Sequence, residues 1–308
     1  MGGSMNDKVT ISTFQLFQMI PNQEVARKYL EEKLWNNHAK CPFCKKDDRI
    51  TVRPNGYYRC NHCKKDFTVR TGTIFERSHV PLHKWLYAIY LLVTSRKGIS
   101  SLQLSKEIGI TQAAAWFLLQ RIRAACGPNL KKLKGIVEID ETYIGGLEKN
   151  KHGNKKLNAG RGTVGKIAVL GMRERGGRTV AMPVASTDSE TLCDEIRNNV
   201  KVGSECHTDE HGAYNGLTEY QHKVVNHYAR EYVRGDVTTN SVESVWSVLK
   251  RGLHGIYHHA SEKHLAKYVD EFTFRLNEGR VKRHTLDRMD SLISRTTGKH
   301  LTYKALVA

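Results

Sequence analysis

Carboxylates at three widely separated positions, Asp140, Asp209 and Glu243, sit in contexts from which one metal site can be assembled. Asp140 closes the run Gly135-Ile-Val-Glu-Ile-Asp140, whose alternation of apolar and polar residues is that of a half-buried strand. Asp209 closes a second strand-like run, Ser204-Glu-Cys-His-Thr-Asp209. Glu243 lies three residues after Asn240, at the start of an apparent helix that carries Lys250 two turns later. Hard divalent cations need oxygen ligands, and two-metal phosphoryl transfer uses such ligands to hold the attacking and the leaving oxygen. Each residue also has a plainer reading. A lone Asp at a strand end is a turn or helix cap. Asn240-Ser-Val-Glu243 fits a capping box, with Glu243 folding back to the backbone of Asn240. On residue chemistry alone, capping and metal binding compete evenly for Glu243. Along the first strand Asp140 shares a face with Glu138, while Val137 and Ile139 face the core. Lys250, seven positions after Glu243, falls on the same helix face, where a lysine can meet a phosphate. Trp246 reads as core, and the Asn240 amide is a further candidate ligand.

The elements that must position these groups follow from the pattern. Strands are expected near 136–142, 164–173, 178–186, 204–209 and 222–226, and helices near 188–200, 212–218, 240–252 and 262–278. Three early strands followed by alternating helices and strands predict a mixed sheet flanked by helices. The polar stretch Gly146–Gly165 holds Lys149, Lys151, Lys155, Lys156 and Arg161, with Lys166 beside it, and reads as an exposed loop that is either simply solvated or a contact to a DNA backbone.

Ahead of this block, Cys41-Pro-Phe-Cys44 and Cys60-Asn-His-Cys63 form two Cys-x-x-Cys knuckles separated by fifteen residues. Thiolates so spaced can converge on one tetrahedral Zn²⁺, and four of them close its shell, which makes the site structural. His62 lies inside the second knuckle and is not needed as a ligand. Ile50-Thr-Val-Arg53 and Tyr57-Tyr-Arg59 resemble the strands of a ribbon hairpin turning at Pro54-Asn-Gly56. Cys126, Cys193 and Cys206 are isolated and read as small buried residues. Residues 100–124 then give a helix-turn-helix pattern: Leu104 and Ile108, a break at Gly109, an N-cap at Thr111, and Ala114, Phe117, Leu118 and Ile122 along the second helix. That helix would enter a major groove, with Gln112, Gln120, Arg121 and Arg123 expected on its exposed face.

The chain has 308 residues and a formal charge of +18, with 49 Lys plus Arg against 31 Asp plus Glu. That length accommodates two or three domains, and that charge favours polyanions, nucleic acid foremost. No apolar run reaches membrane-spanning length, so no membrane partner is expected. The N-terminus shows no signal-peptide pattern, Met1-Gly-Gly-Ser4 ahead of Met5 looks like an added tag, and paired cysteines predict a reducing compartment, here the cytoplasm and its nucleoid. The expected organisation is multidomain α+β: a helical entry over 1–37, a zinc ribbon over 38–75, a helix-turn-helix domain over 80–130, a mixed α/β catalytic domain over 135–285, and a C-terminal tail over 286–308.

These motifs carry a resemblance. Cys41-Pro-Phe-Cys44, Tyr58-Arg-Cys-Asn-His-Cys63, Asp66-Phe-Thr-Val-Arg-Thr-Gly-Thr-Ile-Phe75, Lys97-Gly-Ile-Ser-Ser-Leu-Gln-Leu104, Ile139-Asp-Glu-Thr-Tyr-Ile-Gly-Gly146, Thr208-Asp-Glu-His-Gly-Ala-Tyr214 and Asn240-Ser-Val-Glu-Ser-Val-Trp-Ser-Val-Leu-Lys250 resemble, in order, the zinc-ribbon DDE transposases of small bacterial insertion sequences, the group related to the Merlin elements. The resemblance implies a ribonuclease-H-like catalytic fold with Asp140 and Asp209 as its aspartates. The third position is Glu243 or Asn240, and the Glu243-to-Lys250 spacing favours Glu243. It further implies Mg²⁺ (or Mn²⁺) as the catalytic metal. The expected partners are double-stranded DNA, both element terminal repeats and target, and at least a second copy of the chain. Lys155, Lys156 and Lys250 are expected to contact DNA. A DNA-binding regulator or domesticated transposase without catalysis, and a nuclease without strand transfer, are the alternative functions.

Overall fold

The structure, a computed structural model, describes residues 10–127, 131–146, 152–153, 156, 162–226, 229, 231, 233–279 and 282–308. The chain divides into two compact units, Met1–Gly127 with Glu278–Ala308, and Pro128–Asn277.

The first unit opens with helix α1 (Thr13–Met19), started by a capping box between Ser12 and Gln15, and α2 (Gln23–Trp35), capped by the Asn22 side chain. The ribbon follows as β1 (Ile50–Arg53), β2 (Tyr57–Cys60) and β3 (Asp66–Phe67), all antiparallel in that order. Ile50 faces Cys60 and Arg53 faces Tyr57, so Pro54–Gly56 is the hairpin turn that the sequence predicts, with Asn55 and Gly56 left-handed. The short third strand carried no alternation long enough to read. Trp35 meets Tyr58 and Phe67 edge-on at 5.2 and 5.8 Å, which joins α2 to the ribbon core.

Helices α3 (Leu82–Thr94), α4 (Ser101–Ile108) and α5 (Gln112–Cys126) come next. Gly109 ends α4 in the left-handed conformation at φ 63°, and the Thr111 hydroxyl accepts the Ala114 N–H to start α5. The chain end is not the tail expected over 286–308. It forms α9 (Thr285–Ile293) and α10 (Tyr303–Val307), after α8 (Glu262–Glu278). Met289, Leu292 and Ile293 of α9 are buried, and Tyr29 and Lys33 of α2 hold Asp290 at 2.6 and 3.0 Å. The apolar spacing of that helix was overlooked because Lys and Arg surround it.

The second unit is built on one five-stranded sheet: β4 (Ile136–Ile144), β5 (Ile167–Glu174), β6 (Thr179–Val184), β7 (Glu205–Thr208) and β8 (Gln221–Val224), in the order β6-β5-β4-β7-β8. The first three are antiparallel, while β7 runs parallel to β4, and β8 to β7. One face is covered by α6 (Ser189–Asn199), whose Leu192 and Ile196 join Val137, Ile139, Leu170 and Met172. The other is covered by α7 (Asn240–Gly252) and α8, whose Val242, Trp246, Leu249, Val269 and Phe272 pack on Val169 and Ala181. A β-carbon on Gly252 would lie 2.0 Å from Phe272, so that glycine lets α7 and α8 touch. A two-residue hairpin, β9 (Val233–Arg234) with β10 (Val237–Thr238), leads into α7. Among the described residues no helix is long and apolar enough to cross a membrane.

Candidate active site and zinc site

In the ribbon the four thiols of Cys41, Cys44, Cys60 and Cys63 have sulfurs all within 4.8 Å of one another, the one such group among the described residues. Cys41 to Cys63 is 3.6 Å and Cys44 to Cys60 is 3.5 Å, spacings a tetrahedral zinc–thiolate shell spans. The two knuckles are built alike. Cys41 N–H donates to Lys46 and Cys60 N–H to Lys65, with Lys45 and Lys64 both left-handed. Backbone N–H groups of Cys63 and His62 hold the Cys60 thiol down, to about 6, which favours the thiolate a metal needs. His62 bonds Asp48 at 2.7 Å and lies outside the ligand set, as its position predicts. The residues present fit a structural zinc.

Asp140 lies at the centre of the second unit, on the middle strand of the sheet. One carboxylate oxygen accepts the Trp246 indole N–H at 2.8 Å. Burial, above all, and then the charges of Glu141, Asp209 and Glu243 push its carboxyl up to about 7, with the indole bond pulling the other way. Asp209 and Glu243 thus both lie near enough to Asp140 to act on it. The oxygens of the three do not all lie within 4.8 Å of one another, as mutual repulsion of carboxylates favours. Asp209 directly follows β7, and its Oδ1 accepts the His211 N–H at 3.1 Å, so the turn-forming role of a strand-end Asp is present as well. A hard cation suits this set of oxygen donors and the partly buried negative charge they share.

Helix α7 departs from the capping-box reading. Its N-cap is Thr239, one residue earlier than expected, and Thr239 O–H donates to Glu243 at 2.9 Å. The bond back to Asn240 is not made, because the Asn240 N–H donates to Thr238 Oγ1. The first-turn N–H groups are satisfied by Glu138, a side chain from β4. The strand that reads as half-buried is therefore covered on both faces, and Glu138 is only 1 % exposed. Asn240 and Lys250 are exposed at the two ends of α7, and Glu243 is half-buried.

Trp246 is core, as expected, yet its polar edge reaches the site. Gly171 sits opposite Asp140 in the β4–β5 register, and a β-carbon there would lie 2.3 Å from the indole ring. The ring occupies the slot that this glycine leaves. On the other side, the buried Tyr214 hydroxyl donates to Glu141, and burial with that carboxylate raises the phenol well above its ordinary value. Sequence reasoning missed Glu138, Gly171 and Tyr214 as parts of the site. Glu138 had one signal, the strand face it shares with Asp140, and the polar edge of Trp246 had another, three residues after Glu243 on the same side of one helix.

In α5 the expected recognition face is corrected. Gln120, Arg121 and Arg123 are buried, at 0 %, 3 % and 1 % exposed. Leu118 and Ile122 are core as expected, but Ala115, Leu119 and Cys126 are buried with them, and residues 118–123 are covered on every side. Arg121 lies 5.4 Å from the rings of Trp85 and Phe117 and donates to the Glu76 carbonyl, and burial lowers it to about 10. Gln112 is exposed and bonds Ser101 at 2.8 Å. Lys156 is exposed, while Lys155 lies outside the described residues.

One unit thus carries a ribbon of four thiols arranged for zinc, and the other a mixed sheet with acids at its centre. Comparison with known proteins gives the class. Residues 132–277 match the ISXO2-like transposase domain, and residues 21–66 match the transposase zinc-ribbon domain. An uncharacterized protein in transposable element ISH50 of Halobacterium salinarum is 31 % identical over 269 residues, covering 81 % of this chain and 89 % of that protein. The chain belongs to the zinc-ribbon transposases of insertion sequences. A solved chain in the simian T-cell lymphotropic virus intasome complexed with the PP2A regulatory subunit B56 gamma aligns at 13 % identity and TM-score 0.29, over 64 % of this chain and 66 % of that one, a likeness too slight to bear on the fold.

Proposed function

We propose that the chain is a metal-dependent DNA transposase that binds the ends of a mobile element, cuts them and joins them to target DNA. The observation that carries this reading is a placement: Asp140 is on the middle strand of the sheet and bonds Trp246 of α7, the helix that bears Glu243, while Asp209 follows the neighbouring strand β7. The family membership supports the same conclusion. The strand order of the second unit supports a ribonuclease-H-like catalytic domain.

Asp140, Asp209 and Glu243 would hold Mg²⁺ or Mn²⁺. When bound, such a pair of ions activates a water or a DNA 3′-hydroxyl for in-line attack on phosphorus and neutralises the leaving oxygen. Trp246 fixes the rotamer of Asp140 and keeps water from that side of it. Asn240, exposed on the first turn of α7, is the alternative donor to Glu243. Lys250, exposed a helix length away, would meet DNA phosphate near the cut. Zinc would hold the ribbon together. Helices α4 and α5, joined by the turn at Gly109, support a helix-turn-helix reading, and Gln112 is the one residue of the expected recognition set that remains exposed. A groove contact through α5 therefore has to use its first turn. Two ends joined in one event call for at least two copies of the chain.

The test is a strand-transfer assay with pre-cut element ends and Mg²⁺. Joined product in the wild type, and none in Asp140→Ala while end binding persists, is the expected outcome. Cleavage without joining would make the protein a nuclease, and binding alone would make it a regulator.

A further inference from the structure

The two aspartates share a feature one step further back along their strands. Two residues before Asp140 on β4 is Glu138, and two before Asp209 on β7 is His207. Residues two apart share a strand face, and Glu138 and His207 are register partners across the β4–β7 pair. Both are buried. Both turn to the same target, the segment that enters α7.

Glu138 Oε2 accepts three donors from the first turn of that helix: the Ser241 N–H at 2.8 Å, the Ser241 hydroxyl at 2.6 Å and the Val242 N–H at 3.3 Å. These are the N–H groups an N-cap side chain ordinarily takes, so a residue a hundred positions away does the capping. Its Oε1 accepts from Arg175 at 3.1 and 3.3 Å, and Arg175 also donates to the Asp236 carbonyl at 2.9 Å, in the turn between β9 and β10. His207 Nδ1 accepts the Thr238 N–H at 3.3 Å, which leaves its Nε2–H to donate to Glu205 at 2.6 Å. Lys223 holds Glu205 in turn at 2.8 Å.

We infer that Glu138 and His207 form a positioning platform that sets the start of α7, and with it Asn240 and Glu243, against Asp140 and Asp209. The inference rests on the acidic-site reading above. Burying the Glu138 carboxylate costs desolvation that an apolar side chain would not, and its partner Arg175 is 34 % exposed, so the pair is a poor device for stability alone. It is a good one for placement, because its oxygens accept only donors at fixed directions. A slip of α7 along the sheet would break all three bonds to Glu138 together. The same slip would move Glu243, two residues after Ser241, away from the aspartates.

The experiment measures Mn²⁺ affinity of the full-length protein by titration calorimetry, with thermal unfolding as a check on folding. Glu138→Ala is expected to bind Mn²⁺ about tenfold to a hundredfold more weakly per folded molecule. Glu138→Gln keeps an amide oxygen for the α7 donors and gives up the Arg175 pair, and is expected to recover to within about threefold of the wild type. Ser241→Ala removes one donor without leaving a buried charge unpaired, and is expected to weaken binding about threefold. If Glu138→Ala fails to fold, the Ser241→Ala and Glu138→Gln results decide. A lowered melting temperature with wild-type affinity in Glu138→Ala or Ser241→Ala would overturn the inference, as would Ala and Gln variants of Glu138 that are equally impaired. Asp140→Ala separates the two layers. Wild-type Mn²⁺ binding in that variant removes the acidic-site reading and this inference with it, whereas its loss there together with wild-type binding in Glu138→Ala removes the inference alone.

Discussion

The zinc ribbon and the proposed acidic metal site are assembled on opposite plans. The ribbon draws its four thiols from residues 41–63, inside one small module, and two like-built knuckles bring the sulfurs to spacings a zinc ion spans. The acidic site draws on β4, β7 and α7, with about a hundred residues between its first and last member, and its carboxylates stand further apart. A closed thiolate shell stabilises a fold and leaves no position for a substrate; a spread set of hard oxygens on a sheet and a helix leaves room for ions and for the phosphate they would act on. The local site is fixed by turns. The distributed one is fixed by how a helix is seated on a sheet, which is why buried polar groups cluster under the start of α7.

That contrast can be broken or sharpened by substitution. The largest effect is expected from removing zinc: in Cys60→Ser the ribbon should lose order, since zinc–thiolate sites of this kind supply about 10 kcal/mol of folding free energy. Metal content and a calorimetric scan check this, with the unfolding transition of Pro128–Asn277 expected to remain. Next, Asp209→Ala should lower the cleavage rate by about a thousandfold or more, several kcal/mol of transition-state stabilisation, and leave the zinc content unchanged. Single-turnover cleavage against a zinc assay reads both. Third, Gly171→Val puts a side chain where the Trp246 ring lies, and should destabilise the second unit by about 3 kcal/mol, read from denaturant unfolding. The smallest effect is expected from Trp246→Phe, which keeps most of the packing and drops the N–H to Asp140. It should cost about 1–2 kcal/mol, appearing in kcat rather than in DNA affinity, as a kcat against KM comparison would show.

The same contrast explains what the sequence made legible. Cys-x-x-Cys spacing is local, so the ribbon, its hairpin and the exclusion of His62 from the ligand set could be read directly. The sheet of the second unit was legible because its strands are apolar runs separated by polar turns, although Asp140 lies inside Ile136–Ile144 and does not end it. The cap on α7 was not, because the donor turn and its acceptor are a hundred residues apart and Glu243 offered a plausible local substitute. Gly171 could not be placed before its register with Asp140 was known. In α5 the difference is that the helix is buried all round from Leu118 to Arg123, with no polar face left over that stretch. The long apolar run from Ala113 to Leu119 does not fix a single face, and Arg121 and Arg123 were assigned outward because charged residues usually are. Both are buried, and Arg121 anchors the helix beside Trp85 and against the Glu76 carbonyl.

The central claim is that Asp140, Asp209 and Glu243 share divalent cations. Anomalous scattering from crystals of the full-length protein grown with Mn²⁺ and a short DNA duplex tests it most directly. The account predicts manganese peaks bridged by Asp140 and Asp209, with Glu243 as the third protein ligand and the ribbon peak assignable to zinc alone. Manganese bound elsewhere, or bound with the Glu243 side chain directed away from the aspartates, would contradict it.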